Sequence, residues 1–261
     1  MTVPVERSVR DFYNTYGWSK GGEDELHRQF RPAYRPYHEM TVARTLGCFT
    51  PRNGSLLIVG GGDLPPSHTK LASHFDAVTC IDISQVALDI TQSKLPSSET
   101  VLGSICDAPL ATATFDAVYA AHVIYHIEAK DQERAIREMI RVTKPGGRIV
   151  IVYDNPRSPI RFAAGVVNGL RKRFTPEHAV KQAGTRLYFS AHPLSWWSRF
   201  KDVCSVQMLP WNIMGSYEER TLIPSDGLAR ALYDAATWIE RNFPSASVRL
   251  WQYPIIILDR N

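Results

Sequence analysis

Short apolar runs alternate with helix-like segments through the middle of the chain, and this alternation constrains the fold more than any other feature. The first apolar run, residues 56–59, ends at Gly60-Gly61-Gly62, and Pro65-Pro66 then opens a helical stretch. The further runs that predict strands are 77–81, 101–105, 117–121 and 148–152. Their near-continuous apolar character is typical of strands covered on both faces. Strands and helices in this order predict a parallel sheet with right-handed crossovers.

Two of the intervening helices have recognisable ends. Ser84 stands in an N-cap position before the segment VALDITQSKL. Apolar residues recur at helical spacing through 132–144, and Pro145-Gly146-Gly147 ends that helix. Each helix therefore fits between two predicted strands.

The pattern changes after Asp154. The segment 155–159 contains two prolines, and a helical, basic stretch follows to about residue 181. Beyond it, 206–213 and 248–258 predict two more strands around a helix at 227–243. The first 50 residues are helix-like, contain the aromatic segment FYNTYGW, and lie outside the sheet pattern.

Composition excludes several classes of protein. The 261 residues are 44% hydrophobic and carry 30 Lys and Arg against 26 Asp and Glu, which is a globular composition. The four cysteines have neither metal-finger nor disulfide-framework spacing. Because the N-terminus lacks a signal-peptide pattern and no run of about 18 apolar residues occurs, we expect a cytoplasmic protein without a membrane partner. The basic run Arg171-Lys172-Arg173 is too short to predict a nucleic-acid partner.

The carboxyl ends of the predicted strands are the places to look for a ligand site. Gly60-Gly61-Gly62 allows close approach of a ligand to the backbone. Asp82 ends the second strand, 22 residues after Gly60, where a carboxylate accepts hydrogen bonds from two ribose hydroxyls. Asp107 follows the third strand, where it could accept from the exocyclic amine of adenine. Capping of the next helix by Asp82, and a turn role for Asp107 before Pro109, remain alternatives.

These segments resemble a known enzyme family when they are taken together. The series LLIVGGGDL, TCIDIS, ICDAPL, FDAVYAAHVIYHI and RVTKPGGRIVIVYDN resembles the class I S-adenosylmethionine-dependent methyltransferases, in the small-molecule, type 11-like branch. The resemblance covers residues 55–155. It implies a Rossmann-like α/β sheet of six parallel strands and one antiparallel strand, the latter at 248–258. It also implies an N-terminal helical lid (1–50), a cofactor-binding core (51–155), a cap segment for the substrate (156–200) and closing strands (201–261).

The resemblance also assigns cofactor-binding residues for S-adenosylmethionine and its product S-adenosylhomocysteine. It implies the methionine portion at the glycine turn, the ribose at Asp82 and an aromatic lid at the N-terminus. The residues assigned in this way are Tyr13, Gly60, Gly61, Gly62, Asp82, Ile83, Asp107, Ala108 and His122. Ile58 stands where the family has an acidic residue, and Leu64 replaces the third glycine of its motif. These two departures keep open a relative that binds without catalysis.

Methyl transfer from a sulfonium requires in-line approach and, for a protonated acceptor, removal of a proton. His122 and His126 are spaced to share a helical face with Tyr125 nearby, and an imidazole that titrates near neutrality could serve as the base. His192 is a third candidate base. Structural packing is the alternative for all three histidines.

The methyl acceptor is expected between the N-terminal helices and the segment from Pro156 to Trp211. The predicted substrate-binding residues are Tyr16, His192, Trp196 and Trp197. Further aromatic candidates for the pocket wall are Tyr188, Phe189, Phe200 and Trp211. Core packing is the alternative, and it is the interpretation favoured for Trp238 and Trp251.

A metal site is not predicted. Asp154-Asn155 resembles the acidic pair of magnesium-dependent methyltransferases, but Ala121 stands where a partner carboxylate would be needed. The favoured function is methyl transfer to an oxygen, nitrogen or carbon atom of a small molecule. A nicotinamide-dependent oxidoreductase is disfavoured because Pro65 occupies the third glycine position of the G-x-G-x-x-G pattern. The sequence does not indicate an oligomeric state.

Overall fold

The predicted alternation of strands and helices is present in the computed structural model, which describes residues 4–16, 30–49, 53–174 and 187–261. The strands are β1 (Ser55–Val59), β2 (Ala77–Asp82), β3 (Glu99–Leu102), β4 (Phe115–Ala121), β5 (Thr143–Val152), β6 (Cys204–Asn212) and β7 (Tyr253–Arg260). The helices before β5 are α1 (Val5–Tyr16), α2 (Tyr34–Gly47), α3 (Pro66–Ala72), α4 (Gln85–Lys94) and α5 (Gln132–Val142). Those after it are α6 (Pro159–Phe174), α7 (Ser216–Leu222), α8 (Asp226–Asn242) and α9 (Pro244–Leu250).

The strands form a seven-stranded sheet in the order β3-β2-β1-β4-β5-β7-β6. Strands β1 to β5 pair in parallel. Strand β7 pairs antiparallel with both β5 and β6, so β6 runs in the same direction as the first five. The predicted sheet of six parallel strands and one antiparallel strand is thereby confirmed.

Alternate residues of the central strands enter two separate apolar cores, one on each face of the sheet. One core contains Leu57, Val59, Val118, Ala120, Ile149 and Ile151, with Ile136 and Met139 of α5. The other contains Leu56, Ile58, Val150 and Val152, with Leu46 of α2, Leu71 of α3 and Leu88 of α4. Burial on both faces explains why these strands read as continuous apolar runs.

Several element boundaries differ from the sequence prediction. Strand β7 begins at Tyr253 and not at residue 248, because Pro244 opens the helix α9 and carries it to Leu250. Helix α5 ends at Val142, where the Arg260 guanidinium donates to the carbonyls of Ile140 and Arg141, and β5 begins at Thr143. Strand β3 lies at Glu99–Leu102, with a 3₁₀ turn after it at Ile105–Asp107.

Both N-terminal helices are tied to the sheet domain by polar contacts. In α1, Asn14 accepts a hydrogen bond of 2.6 Å from Ser84, and the Ser84 hydroxyl oxygen also caps α4 by accepting from the Ala87 amide. In α2, Tyr37 and Arg44 both donate to the buried carboxylate of Glu240 in α8. These contacts hold α1 and α2 over the carboxyl end of the sheet.

Two further observations concern the surface. Trp238 is 60% exposed on α8, so the expectation that it fills the core is wrong, whereas Trp251 is buried. In the part of the chain that the structure describes, no helix is long and apolar enough to cross a membrane.

Candidate active site

A cavity of about 650 Å³ lies at the carboxyl ends of β1, β2 and β4, beneath α1 and α2. One end is formed by the glycine turn after β1, the end of β2, the turn after β3 and the first helix. The other end is formed by aromatic and imidazole side chains, which we call the aromatic half: Tyr34, His38, His68, Tyr119, Trp211 and Tyr253. This position agrees with the rule that open α/β sheets bind ligands beyond the carboxyl ends of their strands.

The glycine turn has a backbone that side chains disfavour. Gly60 and Gly62 have φ values of 62° and 56°, in the left-handed region. A Cβ atom on Gly60 would lie 2.5 Å from Cγ2 of Val123, so no side chain fits there without displacement. Leu64 adopts φ 48° at the position of the family's third glycine, and its side chain is fully buried. The turn thus keeps its left-handed path with leucine in place of glycine. Ile58 packs in the core beneath the turn.

Asp82 lies at the floor of the cavity, at the end of β2. Its carboxylate accepts hydrogen bonds from the Gly62 amide at 3.2 Å and from the Ser84 amide at 2.9 Å. Burial raises the pKa of Asp82, and these backbone hydrogen bonds counteract the increase. Asp82 therefore links the glycine turn to the start of α4, while Ser84 supplies the helix cap.

Tyr13 reaches the same end of the cavity from α1, as the resemblance implies. Its ring centroid lies 6.2 Å from that of His126. Burial, together with the nearby charge of Asp82, raises the pKa of Tyr13 above its usual range. Ile83 also lines the cavity. The side chain of Tyr16 lies outside the described residues.

Asp107 and Ala108, which the resemblance assigns to the adenine, are not among the described residues that line the cavity. Asp107 belongs to the 3₁₀ turn, and its side chain is 72% exposed and 3.4 Å from the Arg134 guanidinium. Ala108 is buried in the core next to it. The residues that do line the cavity here are Gly103, Ser104, Ile105 and Cys106. Asp107 lies outside the lining because β3 ends at Leu102 and the turn directs its side chain outward.

His122 follows β4 directly and has φ 61°, a backbone conformation that is uncommon for a residue with a side chain. His122 Nδ1 and the Tyr125 hydroxyl share a hydrogen bond of 2.7 Å. The chain continues into a short 3₁₀ turn at Ile124–His126, so the predicted helix face shared by His122 and His126 does not exist. Both imidazoles nevertheless line the cavity. His126 Nδ1 donates to the Tyr188 carbonyl at 2.7 Å.

Burial changes the protonation behaviour of these groups. It lowers the pKa of His122 to about 3, with further contributions from His126 and His68, and it also lowers the pKa of His126. Burial raises the pKa of Tyr125 well above its usual value. The expectation of an imidazole that titrates near neutrality is therefore wrong for His122, which stays neutral at physiological pH.

Two members of the expected acceptor wall, Trp196 and Trp197, belong to the protein core, and His192 lies half-buried beside them. His192 stacks on Trp196 at a centroid distance of 4.5 Å, and its backbone amide donates to the Tyr153 hydroxyl. Trp197 is fully buried against Tyr153. Trp196 and Trp197 pack beside α5 in the core on that face, and His192, Trp196 and Trp197 are not among the described residues that line the cavity. Among the aromatic candidates from this region, Trp211 is the one that lines it.

The sequence did not single out most of the aromatic half. His68 comes from α3, just after the glycine turn, and Tyr34 and His38 come from α2. Because these residues are far apart in the sequence, the sequence does not show that their side chains meet in one cavity. The sequence contains a weak signal for His68, because this residue lies about one helical turn beyond the glycine turn, which the sequence assigns to ligand binding.

Asp154 is buried and pairs with Arg161 at 2.6 Å. Burial raises the pKa of Asp154 to about 6, although Arg161 and Gln252 counteract this, and Glu218 adds to the increase. Among the described residues, no group of three or more His, Cys, Asp or Glu is placed to hold a metal ion.

The raised pKa of Asp154 predicts a pH-dependent stability difference. A carboxyl group with a raised folded-state pKa stabilises the fold below its unfolded pKa, and this contribution is lost as pH rises through the folded value. Because an asparagine side chain cannot ionise, Asp154→Asn is expected to gain stability relative to wild type between pH 4 and pH 8, by on the order of 2–3 kcal/mol. Urea unfolding at several pH values measures this. If the free energies of unfolding of the two proteins change with pH in the same way, the prediction is wrong.

The strand order, the single reversed strand and the cavity at the carboxyl ends define the class I fold of S-adenosylmethionine-dependent methyltransferases. Residues 59–151 match the family model described as a methyltransferase domain. Residues 59–151 therefore form a methyltransferase domain.

Curated relatives are similar over this part of the chain. A demethylmenaquinone methyltransferase of Thermotoga maritima is 29% identical over 120 residues, which is 46% of this chain and 51% of that protein. A ubiquinone/menaquinone biosynthesis C-methyltransferase of Bordetella parapertussis is 34% identical over 122 residues, 44% of this chain and 46% of that protein. The chain thus spans about half the length of the curated relatives it matches.

A solved structure is similar over the full length. The geranyl diphosphate C-methyltransferase of Streptomyces coelicolor, in complex with Mg²⁺, geranyl diphosphate and S-adenosyl-L-homocysteine, has a TM-score of 0.60 and 15% identity. The match covers 100% of this chain and 99% of that one. At this identity the similarity shows the fold.

Proposed function

We propose that this protein transfers the methyl group of S-adenosylmethionine to an oxygen, nitrogen or carbon atom of a small molecule and releases S-adenosylhomocysteine. The observation that carries the proposal is one continuous cavity with two chemically different ends. The glycine turn, Asp82 and Tyr13 form a nucleoside-type end, and the aromatic half forms an end suited to a flat acceptor. His122 lines the cavity and contacts Trp211 and Tyr253 of the aromatic half.

The cofactor is proposed to lie along the carboxyl ends of the strands. Asp82 accepts hydrogen bonds from the ribose hydroxyls, and the glycine turn lies against the methionine portion. Ile83 and Ile105 flank the adenine, and Tyr13 covers the cofactor from α1. Ligand hydroxyls that donate to Asp82 stabilise its ionised form, so its raised pKa is expected to fall when the cofactor binds.

The charges at the cofactor end favour a cation. The Asp, Glu and Arg residues there are Asp82, Glu128, Asp131 and Arg134, three acidic groups against one basic group. Such a balance attracts the positively charged sulfonium more than its neutral product. Loss of this attraction after transfer favours product release.

Methyl transfer is proposed to proceed by direct displacement at the methyl carbon, with the acceptor and sulfonium in line. Tyr125 orients His122 through their shared hydrogen bond. His122 is neutral at pH 7 and can accept a hydrogen bond from the reacting O–H or N–H group, and because a pKa of about 3 makes it a weak base, it is proposed to pass that proton on to solvent. His126 lies next to Tyr125 and completes this group of proposed catalytic residues.

Calorimetric titration with S-adenosylmethionine, S-adenosylhomocysteine and NADH tests the proposal. We expect saturable binding of the two sulfur compounds and none of NADH. Binding of NADH alone would overturn the proposal in favour of an oxidoreductase. Absence of binding by all three ligands would show that Ile58 and Leu64 mark a domain that has lost its cofactor site.

A further inference from the structure

The two ends of the cavity differ sharply in charge. Asp131 and Arg134 lie beside the turn after β3, where Asp131 contacts Cys106 and Arg134 approaches Asp107. Glu128 is one turn before Asp131, and Glu6 is on α1 with Tyr13. Asp82, Glu128, Asp131 and Arg134 therefore lie at the cofactor end, whereas the six residues that define the aromatic half include no Asp, Glu, Lys or Arg. The aromatic half contains tyrosine, tryptophan and histidine, and burial keeps its His68 neutral by lowering the pKa to about 4.

The aromatic half is shaped by rings that meet edge to face. His122 contacts both Trp211 and Tyr253 at centroid distances of 5.2 Å, the latter at an angle of 90°. On α3 and β4, His68 lies 5.0 Å from Tyr119. Aromatic walls of this kind contribute apolar area and favour ring stacking with a flat ligand.

Most polar atoms of these walls already have protein partners. The Trp211 indole donates to the Thr45 hydroxyl at 2.9 Å, and the Tyr34 hydroxyl accepts from Asn212 at 2.8 Å. His68 Nδ1 lies 3.4 Å from the Ser67 hydroxyl, and among the described residues neither His68 Nε2 nor the neighbouring Tyr119 hydroxyl forms a hydrogen bond with another group of the protein. His68 is 9% exposed and lines the cavity. A ligand hydroxyl that reaches His68 Nε2 in the cavity can therefore form a hydrogen bond there.

We propose that the methyl acceptor is an uncharged aromatic compound whose hydroxyl group forms a hydrogen bond with His68 Nε2 while its ring lies between the walls of the aromatic half. This inference rests on the proposed methyltransferase function and assigns its acceptor class. His68 thereby determines specificity by selecting a neutral hydrogen-bonding group. The diphosphate bound by the Streptomyces coelicolor structure would meet no Lys or Arg in the described lining of the aromatic half.

Binding of matched ring compounds to the S-adenosylhomocysteine complex tests the acceptor class. The probes are 2-naphthol, 2-naphthoate and naphthalene, which share a ring system and differ in charge and hydrogen bonding. We expect 2-naphthol to bind at least about tenfold more tightly than either of the others. Equal or tighter binding of 2-naphthoate, or no binding of 2-naphthol, overturns the inference. Failure of S-adenosylhomocysteine itself to bind instead refutes the proposed function.

The variant His68→Phe tests whether His68 forms the proposed hydrogen bond with the acceptor hydroxyl. It retains an aromatic ring and removes the ring nitrogens, so the preference for 2-naphthol over naphthalene is expected to disappear while S-adenosylhomocysteine still binds. His74→Phe is the matched control, because His74 lies just after the same helix and its Nδ1 hydrogen-bonds the Lys70 carbonyl. An unchanged preference in His68→Phe contradicts the assignment. If His68→Phe does not fold, the comparison of 2-naphthol with 2-naphthoate in the wild-type protein still decides the acceptor class.

Discussion

Asp82→Ala is expected to weaken the binding of S-adenosylhomocysteine at least about a hundredfold. A hydrogen bond to a charged group contributes about 1.5–3 kcal/mol, and two ribose hydroxyls are proposed to donate to this carboxylate. The substitution also leaves the amides of Gly62 and Ser84 without their acceptor. The glycine turn then loses its link to the start of α4, which adds to the loss of affinity. Isothermal titration calorimetry measures the effect.

Asp107→Ala is the matched control for this experiment. Both residues are aspartates near the ends of neighbouring strands, but Asp107 is exposed and makes a surface ion pair with Arg134. Surface ion pairs contribute about 0–1 kcal/mol, so affinity is expected to stay within about twofold of wild type. Equal losses in the two variants would contradict the location of the site.

Gly60→Ala is expected to abolish detectable binding of S-adenosylhomocysteine. The new Cβ would lie 2.5 Å from Cγ2 of Val123, and alanine disfavours the left-handed backbone by about 1–2 kcal/mol. Relief of the contact requires movement of the turn or of the segment after His122, and both line the cavity. Calorimetry on the folded variant, with circular dichroism to establish folding, measures the outcome.

Gly54→Ala is the control that distinguishes an effect of backbone strain from an effect on the ligand site. Gly54 also has a left-handed backbone, with φ 77°, and a Cβ there would overlap the Asp116 carboxylate. It precedes β1, at the opposite end of that strand from the glycine turn. We expect a comparable fall in thermal stability and unchanged affinity. Preserved binding in Gly60→Ala, or a loss in both variants, would show that the turn does not contact the cofactor.

The sheet could be predicted from sequence because its physical signals are local. Residues 56–59 and 148–152 are continuous apolar runs since both faces of the sheet are covered, and Gly60-Gly61-Gly62 marks a turn that needs left-handed backbone. The start of β7 could not be located in the same way. Trp251 and Gln252 separate β7 from α9, and both segments contain apolar and polar residues. The sequence pattern therefore does not mark where the helix ends and the strand begins.

Site residues on the glycine turn and at the end of β2 could likewise be placed, since strand ends define their positions. Site residues whose position depends on contacts between distant segments could not be predicted. Trp196 and Trp197 are aromatic enough for a pocket wall, yet they pack against Tyr153 and the core beside α5. His68 was missed because its role depends on its meeting with Tyr119 of β4 and with side chains of α2 and β6. Side-chain direction in irregular turns, as at Asp107, depends on backbone angles that spacing does not determine.

A crystal structure of the protein with S-adenosylhomocysteine tests the central claim most directly. The ribose hydroxyls are predicted to lie within hydrogen-bond distance of the Asp82 carboxylate. The sulfur is predicted to face the aromatic half near His122, with the Tyr13 ring covering the ligand. Electron density for the ligand outside this cavity, or in the cavity with the sulfur directed away from the aromatic half, would contradict the account.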